Sequence, residues 1–206
     1  EIDNLVYQSV ESLRKSIISD SPIKDLEMSC FPGSYVPLKA QISCLPCPAG
    51  HSCQNYGTFI PSICPAGTYR SMADSVTCRG CQTGTFSPEI GASDISMCLP
   101  CPQGRVCGTV AMADLKASDR CSEGYVCGFG TDRSRQFNHK APAGFHTNYD
   151  TKPSDQYESK CSPGFYCMRG TTTANQFSLP CPIGAFCPLS TPSASSVEVK
   201  CPFQTT

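Results

Sequence analysis

Cysteine is the residue type through which this chain could do chemistry: 17 of its 206 residues are cysteine. Six of them fall in Cys-x-x-Cys pairs, Cys44/Cys47, Cys78/Cys81 and Cys98/Cys101. Two such pairs can supply the four tetrahedral ligands of a zinc site, and one pair can act as a redox dithiol. A redox dithiol normally opens a helix, whereas Leu45-Pro46 and Leu99-Pro100 set two of the pairs in turn-rich sequence. Each pair also straddles the end of one repeat and the start of the next, so the repeat already accounts for the spacing. Neither metal nor redox cofactor is expected. Of the three histidines, His51 and His146 follow turn glycines and read as exposed turn residues rather than ligands or bases, and His139 has no partner motif. No Ser/His/Asp set has sequence support, the acidic residues lack calcium-loop spacing, and every candidate phosphate-loop glycine belongs to the repeat. The expected protein is not an enzyme and carries no cofactor.

What positions the cysteines is a ruler. Units start at Cys30, Cys47, Cys64, Cys81, Cys101, Cys121, Ala141, Cys161, Cys181 and Cys201, first 17 residues apart, then 20. Three residues after each of the first nine starts stands a glycine: Gly33, Gly50, Gly67, Gly84, Gly104, Gly124, Gly144, Gly164 and Gly184. Gln204 breaks the rule. Aromatic residues follow, including Tyr35, Tyr69, Phe86, Tyr125, Phe145, Phe165 and Phe186. Pro-x-Gly reads as a tight turn, because Pro presets φ and Gly reaches conformations that strain other residues. The ring, expected over a disulfide and against the next unit, would serve as a miniature core. Five units add a cysteine six residues after the first: Cys53, Cys107, Cys127, Cys167 and Cys187.

Connectivity does not follow from spacing alone. A 14-residue gap recurs, from Cys30 to Cys44, Cys64 to Cys78, Cys107 to Cys121, Cys167 to Cys181 and Cys187 to Cys201, and Cys81 to Cys98 is 17. Such a gap suggests closed loops joining one unit's turn to the next unit's start. At the unit starting at residue 141, Ala141 and Thr147 replace both cysteines while Pro142, Gly144 and Phe145 remain. Either the two cysteines bond within a unit and left together, or Cys127 reaches Cys161 past the vacated unit. The recurrence of the 14-residue gap favours the second reading. Under either reading the 128–160 stretch, with Arg133, Arg135, His139, Lys140, Lys152 and Lys160, is less stapled and is the expected bend, protease-sensitive loop or contact surface.

Leu, Ile, Val and Phe together number only 38, against 16 Gly and 18 Pro. Too little aliphatic material is present for one large core, and covalent staples must replace it. The net charge of −1 offers no basic stripe for nucleic acid, and no apolar run is long enough to span a membrane. This cysteine density points to an oxidising, extracellular setting. Residues 1–29 lack cysteine; Val6, Val10, Leu13 and Ile17 predict an amphipathic helix over about 4–19, stopped at Ser21-Pro22. The division is a helical segment or preceding domain end at 1–29, repeats of about 17 residues over 30–100, and repeats of about 20 over 101–206. The odd cysteine total and the ends at Glu1 and Thr206 suggest a section cut from a longer array. Thr171–Thr173 and Ser190–Ser196 read as linkers, with O-linked sugars as the alternative.

Cys47-Pro48-Ala49-Gly50, Cys64-Pro65-Ala66-Gly67-Thr68-Tyr69, the run from Cys161 to Cys167 and the run from Cys181 to Cys187 resemble ephrin-receptor-like and tumour-necrosis-factor-receptor-like cysteine-rich modules. The resemblance covers about residues 30–203. It is strongest to long arrays in large surface or secreted protist proteins, including flagellar mastigoneme-type and apicomplexan cysteine-repeat proteins. In receptors it implies a ligand-binding or spacer ectodomain; in the protist arrays, a structural or adhesive one. The expected fold is a small disulfide-rich repeat array, an elongated rod with short β-hairpins and one N-terminal helix. The expected function is spacing, filament or surface-coat assembly, or adhesion, secreted or at a cell or ciliary surface, through self-association or other extracellular proteins. A receptor-type ectodomain binding a protein ligand is the alternative.

Overall fold

The computed structural model describes residues 30–37, 43–72 and 76–196. The helix predicted over 4–19 and the unit beginning at Cys201 lie outside them. The described chain is a run of nine units with very little regular secondary structure, as its turn-rich composition predicts. We number them 1 to 9 from Cys30, and count positions from each unit's first residue as zero.

Each of units 1 to 8 is a turn followed by a loop that returns to pair with it. Units 1 to 5 form two-residue antiparallel hairpins: β1 (Ser34–Tyr35) with β2 (Leu45–Pro46), β3 (His51–Ser52) with β4 (Ser62–Ile63), β5 (Thr68–Tyr69) with β6 (Arg79–Gly80), β7 (Thr85–Phe86) with β8 (Leu99–Pro100), and β9 (Arg105–Val106) with β10 (Asp119–Arg120). Units 6 to 8 keep the same closure as single bridges, Tyr125 to Lys140, Phe145 to Lys160 and Phe165 to Pro180. Short 3-10 turns occupy Ile95–Met97, Leu115–Ala117 and Ala194–Ser196. Asp94 caps the first by accepting from Ser96 N–H, and Asp114 caps the second.

All eight disulfides among the described residues lie within single units, and they come in two kinds. Cys47–Cys53, Cys101–Cys107, Cys121–Cys127, Cys161–Cys167 and Cys181–Cys187 close six-residue loops. Cys30–Cys44, Cys64–Cys78 and Cys81–Cys98 tie a unit's first residue to the residue just before its own closing strand. Two expectations are corrected. Cys127 bonds Cys121 and Cys161 bonds Cys167, so no disulfide skips the vacated unit. The expected closed loops do form at Cys30–Cys44, Cys64–Cys78 and Cys81–Cys98, but inside one unit rather than between neighbours, and Cys107–Cys121 and Cys167–Cys181 stay unjoined because a sixth-position cysteine takes the first as its partner. Both members of each Cys-x-x-Cys pair are disulfide-bonded, to different partners, because the pair spans a boundary between units.

What joins unit to unit is backbone. At every junction the first residue's N–H donates to the preceding turn glycine's carbonyl, from Cys47 to Gly33 through Cys181 to Gly164, at 2.8–3.0 Å. The turn glycine's own N–H donates forward to position six of the next unit: Gly33 to Cys53, Gly50 to Arg70, Gly104 to Cys127 and so on, at 2.7–3.0 Å. Position six then donates onward, as Cys107 N–H does to Thr131 O and Cys127 N–H to Thr151 O. Nine turn glycines have φ between 73° and 93°. Six of them, Gly50 through Gly144, lie so close to a carbonyl two units further on that a Cβ would stand 2.2–2.6 Å from its oxygen.

The interior is made of the first-position residues, the sixth-position cysteines and small side chains rather than rings. Tyr69 is the one buried aromatic among the described residues, packed with Cys81 and Ala92. In units 6 to 8 rings pair edge-on within their own units at a twelve-residue spacing, Tyr125 with Phe137, Phe145 with Tyr157, and Phe165 with Phe177, centroids 5.0–5.2 Å apart, and Phe31 of unit 1 pairs with Tyr56 of unit 2 at 5.7 Å. The expectation of rings beside disulfides and against the next unit holds at Tyr69, which clusters with Cys81 and Cys98 of unit 4, and at Phe86, which packs against Cys101 and Cys107 of unit 5, while Tyr125 packs against its own unit's Cys121 and Cys127.

Candidate functional site

No cluster of three or more His, Cys, Asp or Glu side chains able to hold a metal occurs among the described residues. The surface features worth building upward are therefore unit 7, the charged groups around it, and a repeating corner.

Unit 7 keeps its place without a staple. Ala141 is as buried as the first-position cysteines, and its N–H holds Gly124 O at 2.8 Å. Thr147 is buried too, and its hydroxyl accepts the Gly124 N–H at 3.0 Å. That N–H goes to a position-six carbonyl at the other junctions, so the threonine side chain takes over a backbone rung. Arg70 stands at position six of unit 3, buried, with its guanidinium donating to Cys47 O and Pro48 O at 3.3 and 3.1 Å. Each replacement for a sixth-position cysteine meets this crowded site differently. Ser87, in unit 4, leaves its hydroxyl buried without a partner.

A second buried position was legible in the sequence but unread. Thr131, Thr151, Thr171 and Thr191 recur at a 20-residue period. All four are buried, and each Oγ1 donates to the carbonyl three residues back at 2.7–2.8 Å. Thr171 and Thr191 are thus internal struts rather than open hydroxyls for sugars. Ser190 Oγ likewise donates to Gly144 O at 3.0 Å. Two runs that read as linkers therefore contain packed repeat positions.

The cations of 128–160 are not one open patch. Arg133 grips Asp119 Oδ2 with Nε and Nη2 at 3.1 and 3.0 Å. Arg135 binds Asp132 Oδ2 and the Gly130 carbonyl. The Ser134 hydroxyl, then the Arg135 N–H and guanidinium, hold the Asp132 carboxyl below the usual carboxylate range against the opposing effect of burial. From unit 5, Arg120 reaches Asp150 Oδ2 at 2.7 Å and lies 4.9 Å over the Tyr149 ring. The exposed pairs contribute little stability, but they cancel the local charge. His51 and His146 are half-buried rather than exposed and sit one position apart within their units. His51 Nδ1 lies 3.1 Å from Ala49 O, and His146 Nδ1 lies 3.1 Å from Thr173 Oγ1. Burial lowers the His146 pKa.

The repeating corner is the residue at positive φ near position nine: Gly57, Gly91, Ala111, Gly130, Asp150, Gly170 and Ser190. Its N–H donates to the first-residue carbonyl of the preceding unit, from Gly57 to Cys30 at 2.9 Å through Ser190 to Cys161 at 3.0 Å. The three non-glycine residues at positive φ among the described residues all occupy this one position. The residue just before it is exposed in every case: Tyr56, Ile90, Val110, Phe129, Tyr149 and Leu189 are 49–69% exposed, and Arg169 takes the place in unit 8. The periodic glycine and cysteine signals obscured this row, since its residues share character rather than identity.

Among the described residues, no helix is long and apolar enough to cross a membrane. The disulfide-rich fold is consistent with an extracellular or secreted setting. No curated protein matches the chain. Residues 57–98 match the family described as tyrosine-protein kinase ephrin type A/B receptor-like. That span holds units 3 and 4, which are stapled by Cys64–Cys78 and Cys81–Cys98. The chain thus contains a small ephrin-receptor-like cysteine-rich segment within a longer disulfide-rich repeat array.

Proposed function

We propose that this chain is a non-catalytic extracellular spacer, a section of a rod or coat whose job is to hold other parts at a distance and to assemble or adhere through its sides. The observation that carries this reading is the uninterrupted backbone ladder, which passes through all eight described junctions, including unit 7 where the disulfide is gone. Each unit offers its neighbour the same donors and acceptors, so length follows copy number. In that role the resemblance to protist surface and flagellar arrays suggests a filament or coat at a cell or ciliary surface. The receptor-type alternative draws on the ephrin-receptor-like segment at 57–98.

Small-angle X-ray scattering of the oxidised chain tests the spacer. A compact 206-residue globule would have a radius of gyration of about 17 Å; a stacked array should exceed it well and give a rod-like distance distribution. A value near the compact figure would sink the proposal. A single saturable protein partner, lost on substitution in one or two adjacent units, would favour the receptor.

A further inference from the structure

The staples are not spread evenly along the array. From Cys127 to Cys161 the chain runs 34 positions without a disulfide, whereas no other such run among the described residues exceeds 14, as from Cys107 to Cys121 and from Cys167 to Cys181. Unit 7 lies wholly inside the long run. Its ties to its neighbours are hydrogen bonds, from Ala141 N–H to Gly124 O, Gly144 N–H to Cys167 O and Thr147 N–H to Thr171 O, with Thr147 Oγ1 accepting from Gly124 N–H. A closed loop restricts the opened chain and so disfavours opening. Unit 7 lacks that restraint and opens locally ahead of the stapled units beside it. The staples also decide what a cut does. Inside a closed loop, as at 65–77, the Cys64–Cys78 bond keeps the two ends joined. Between 128 and 160 nothing covalent spans a break.

We infer that the Lys140–Ala141 bond, at the entry to unit 7, is a processing site for an endoprotease that cuts after basic residues. Three junction bonds among the described residues follow a basic residue: Arg120–Cys121, Lys140–Ala141 and Lys160–Cys161. At the first and third the next residue is stapled, Cys121 to Cys127 and Cys161 to Cys167; Ala141 is not. Arg133 and Arg135 lie in the same run, but their guanidiniums are engaged by Asp119, Asp132 and the Gly130 carbonyl. Lys140 is exposed and stands in no ion pair among the described residues. The bond is latent in the closed array. Ala141 is fully buried and its N–H is tied to Gly124 O, so unit 7 must open before a protease can seat the chain in extended form. Hydrolysis then adds one water across the amide, leaving a carboxylate on Lys140 and an amine on Ala141. With no disulfide across the break, units 1 to 6 part from units 8 and 9. The inference goes beyond the spacer reading: it gives the spacer a point of release.

Limited trypsin digestion of the oxidised chain tests this, with initial rates at each bond read by mass spectrometry. Each rate is taken relative to the same bond in the reduced and alkylated chain, which removes the protease's own sequence preference. Lys140–Ala141 should be cut at least about tenfold faster than Arg120–Cys121, since cleavage follows the population of the open form and a six-residue closed loop disfavours opening by that much or more. Non-reducing electrophoresis should show the two pieces already separate. Ala141→Cys with Thr147→Cys should slow the Lys140 cut severalfold and leave cuts after Arg133 and Arg135 unchanged. Cys121→Ala with Cys127→Thr, which repeats unit 7's replacements one unit earlier, should raise the Arg120 cut about tenfold. Peptide mapping confirms the disulfides of each variant; should the new pair stay open, the Arg120 rate decides alone. A Lys140 bond cut no faster than Arg120, a rate indifferent to the staples, or pieces that stay joined without a reductant would overturn the inference. Scattering reads the spacer separately, so a rod that resists trypsin at Lys140 defeats only the processing site.

Discussion

Two glycine-to-alanine substitutions should separate the cost of backbone conformation from the cost of stacking. Gly104 and Gly130 have φ of 79° and 70°, so alanine is strained at both. That strain is about 1–2 kcal/mol, partly offset by about 0.4–1 kcal/mol from a stiffer unfolded chain. At Gly130 nothing more is lost: a Cβ there would stand 3.9 Å from Gly84 O, and the equivalent position in unit 5 is already Ala111 at φ 60°. The net cost should be about 1 kcal/mol. At Gly104 a Cβ would lie 2.5 Å from Asp150 O, where ordinary contact begins near 3.4 Å. Backbone meets backbone, so no side chain can swing aside. Unit 7 must move from unit 5, which adds about 1–3 kcal/mol of overpacking and endangers the Gly104 N–Cys127 O and Asp150 N–Cys121 O bonds, each worth about 1 kcal/mol. Gly104→Ala should therefore cost about 3–5 kcal/mol. For a chain of this size that is a Tm drop of about 6–20 °C, against about 2–4 °C for Gly130→Ala. Scanning calorimetry under non-reducing conditions reads both. Hydrogen exchange across units 5 to 7 guards against an array that does not melt in one step. Equal losses, or a larger loss at Gly130, would refute the claim that the units are locked across two intervals.

Ala141→Cys with Thr147→Cys should form a ninth disulfide, because unit 7 keeps the ladder of its neighbours, whose six-residue staples span 5.7–6.0 Å between Cα atoms. Loop closure should add about 2 kcal/mol, less about 1 kcal/mol for the Thr147 hydroxyl; mass mapping and a raised Tm check it. Thr151→Val keeps the volume and removes the hydroxyl bond to Asn148 O, so it should cost about 1 kcal/mol, read as a drop of a few degrees in Tm. The lowered His146 pKa means that the unfolded chain takes up a proton which the folded chain resists. Stability linked to His146 should be full above its ordinary pKa of 6.5 and fall as pH drops below that value. Hydrogen-exchange protection at units 7 and 8, taken relative to the intrinsic rate at each pH, should fall with acid in the native chain, and His146→Gln should flatten that dependence.

The turn was the most legible part of the fold. Pro-x-Gly with a fixed glycine at position three announces a positive φ, and every one of the nine turn glycines has it. Hairpins two residues long follow from the same spacing, since 17–20 residues must turn and return. The staples were harder to read, because 6 and 14 both recur along the sequence and only proximity after folding decides between them. Cys107 lies 14 residues before Cys121, yet the turn between positions zero and six brings Cys101 to it first. The buried threonines at 131, 151, 171 and 191 were visible as a period but not as a role. A threonine among serines and prolines reads as linker until the carbonyl it serves is in place. The exposed row was the least legible, since Tyr, Ile, Val, Phe and Leu share no letter and the corner after them holds Gly, Ala, Asp or Ser.

The division of labour between covalent and hydrogen-bonded links explains why the cysteine pattern can vary while the architecture does not. A staple that joined two units would fix their separation, and losing it would part them. Here each staple closes only its own unit, and the joint to the next is made by backbone atoms that every residue possesses. Unit 3 can therefore use Cys64–Cys78, unit 5 Cys101–Cys107 and unit 7 no disulfide at all, while the Cys64, Cys101 and Ala141 N–H groups all find the preceding glycine carbonyl at 2.8 Å. The strict requirement falls instead on the six turn glycines from Gly50 to Gly144, which must carry no Cβ because another unit's carbonyl occupies that space. In this array glycine sets how units stack, and cysteine sets how firmly each one closes.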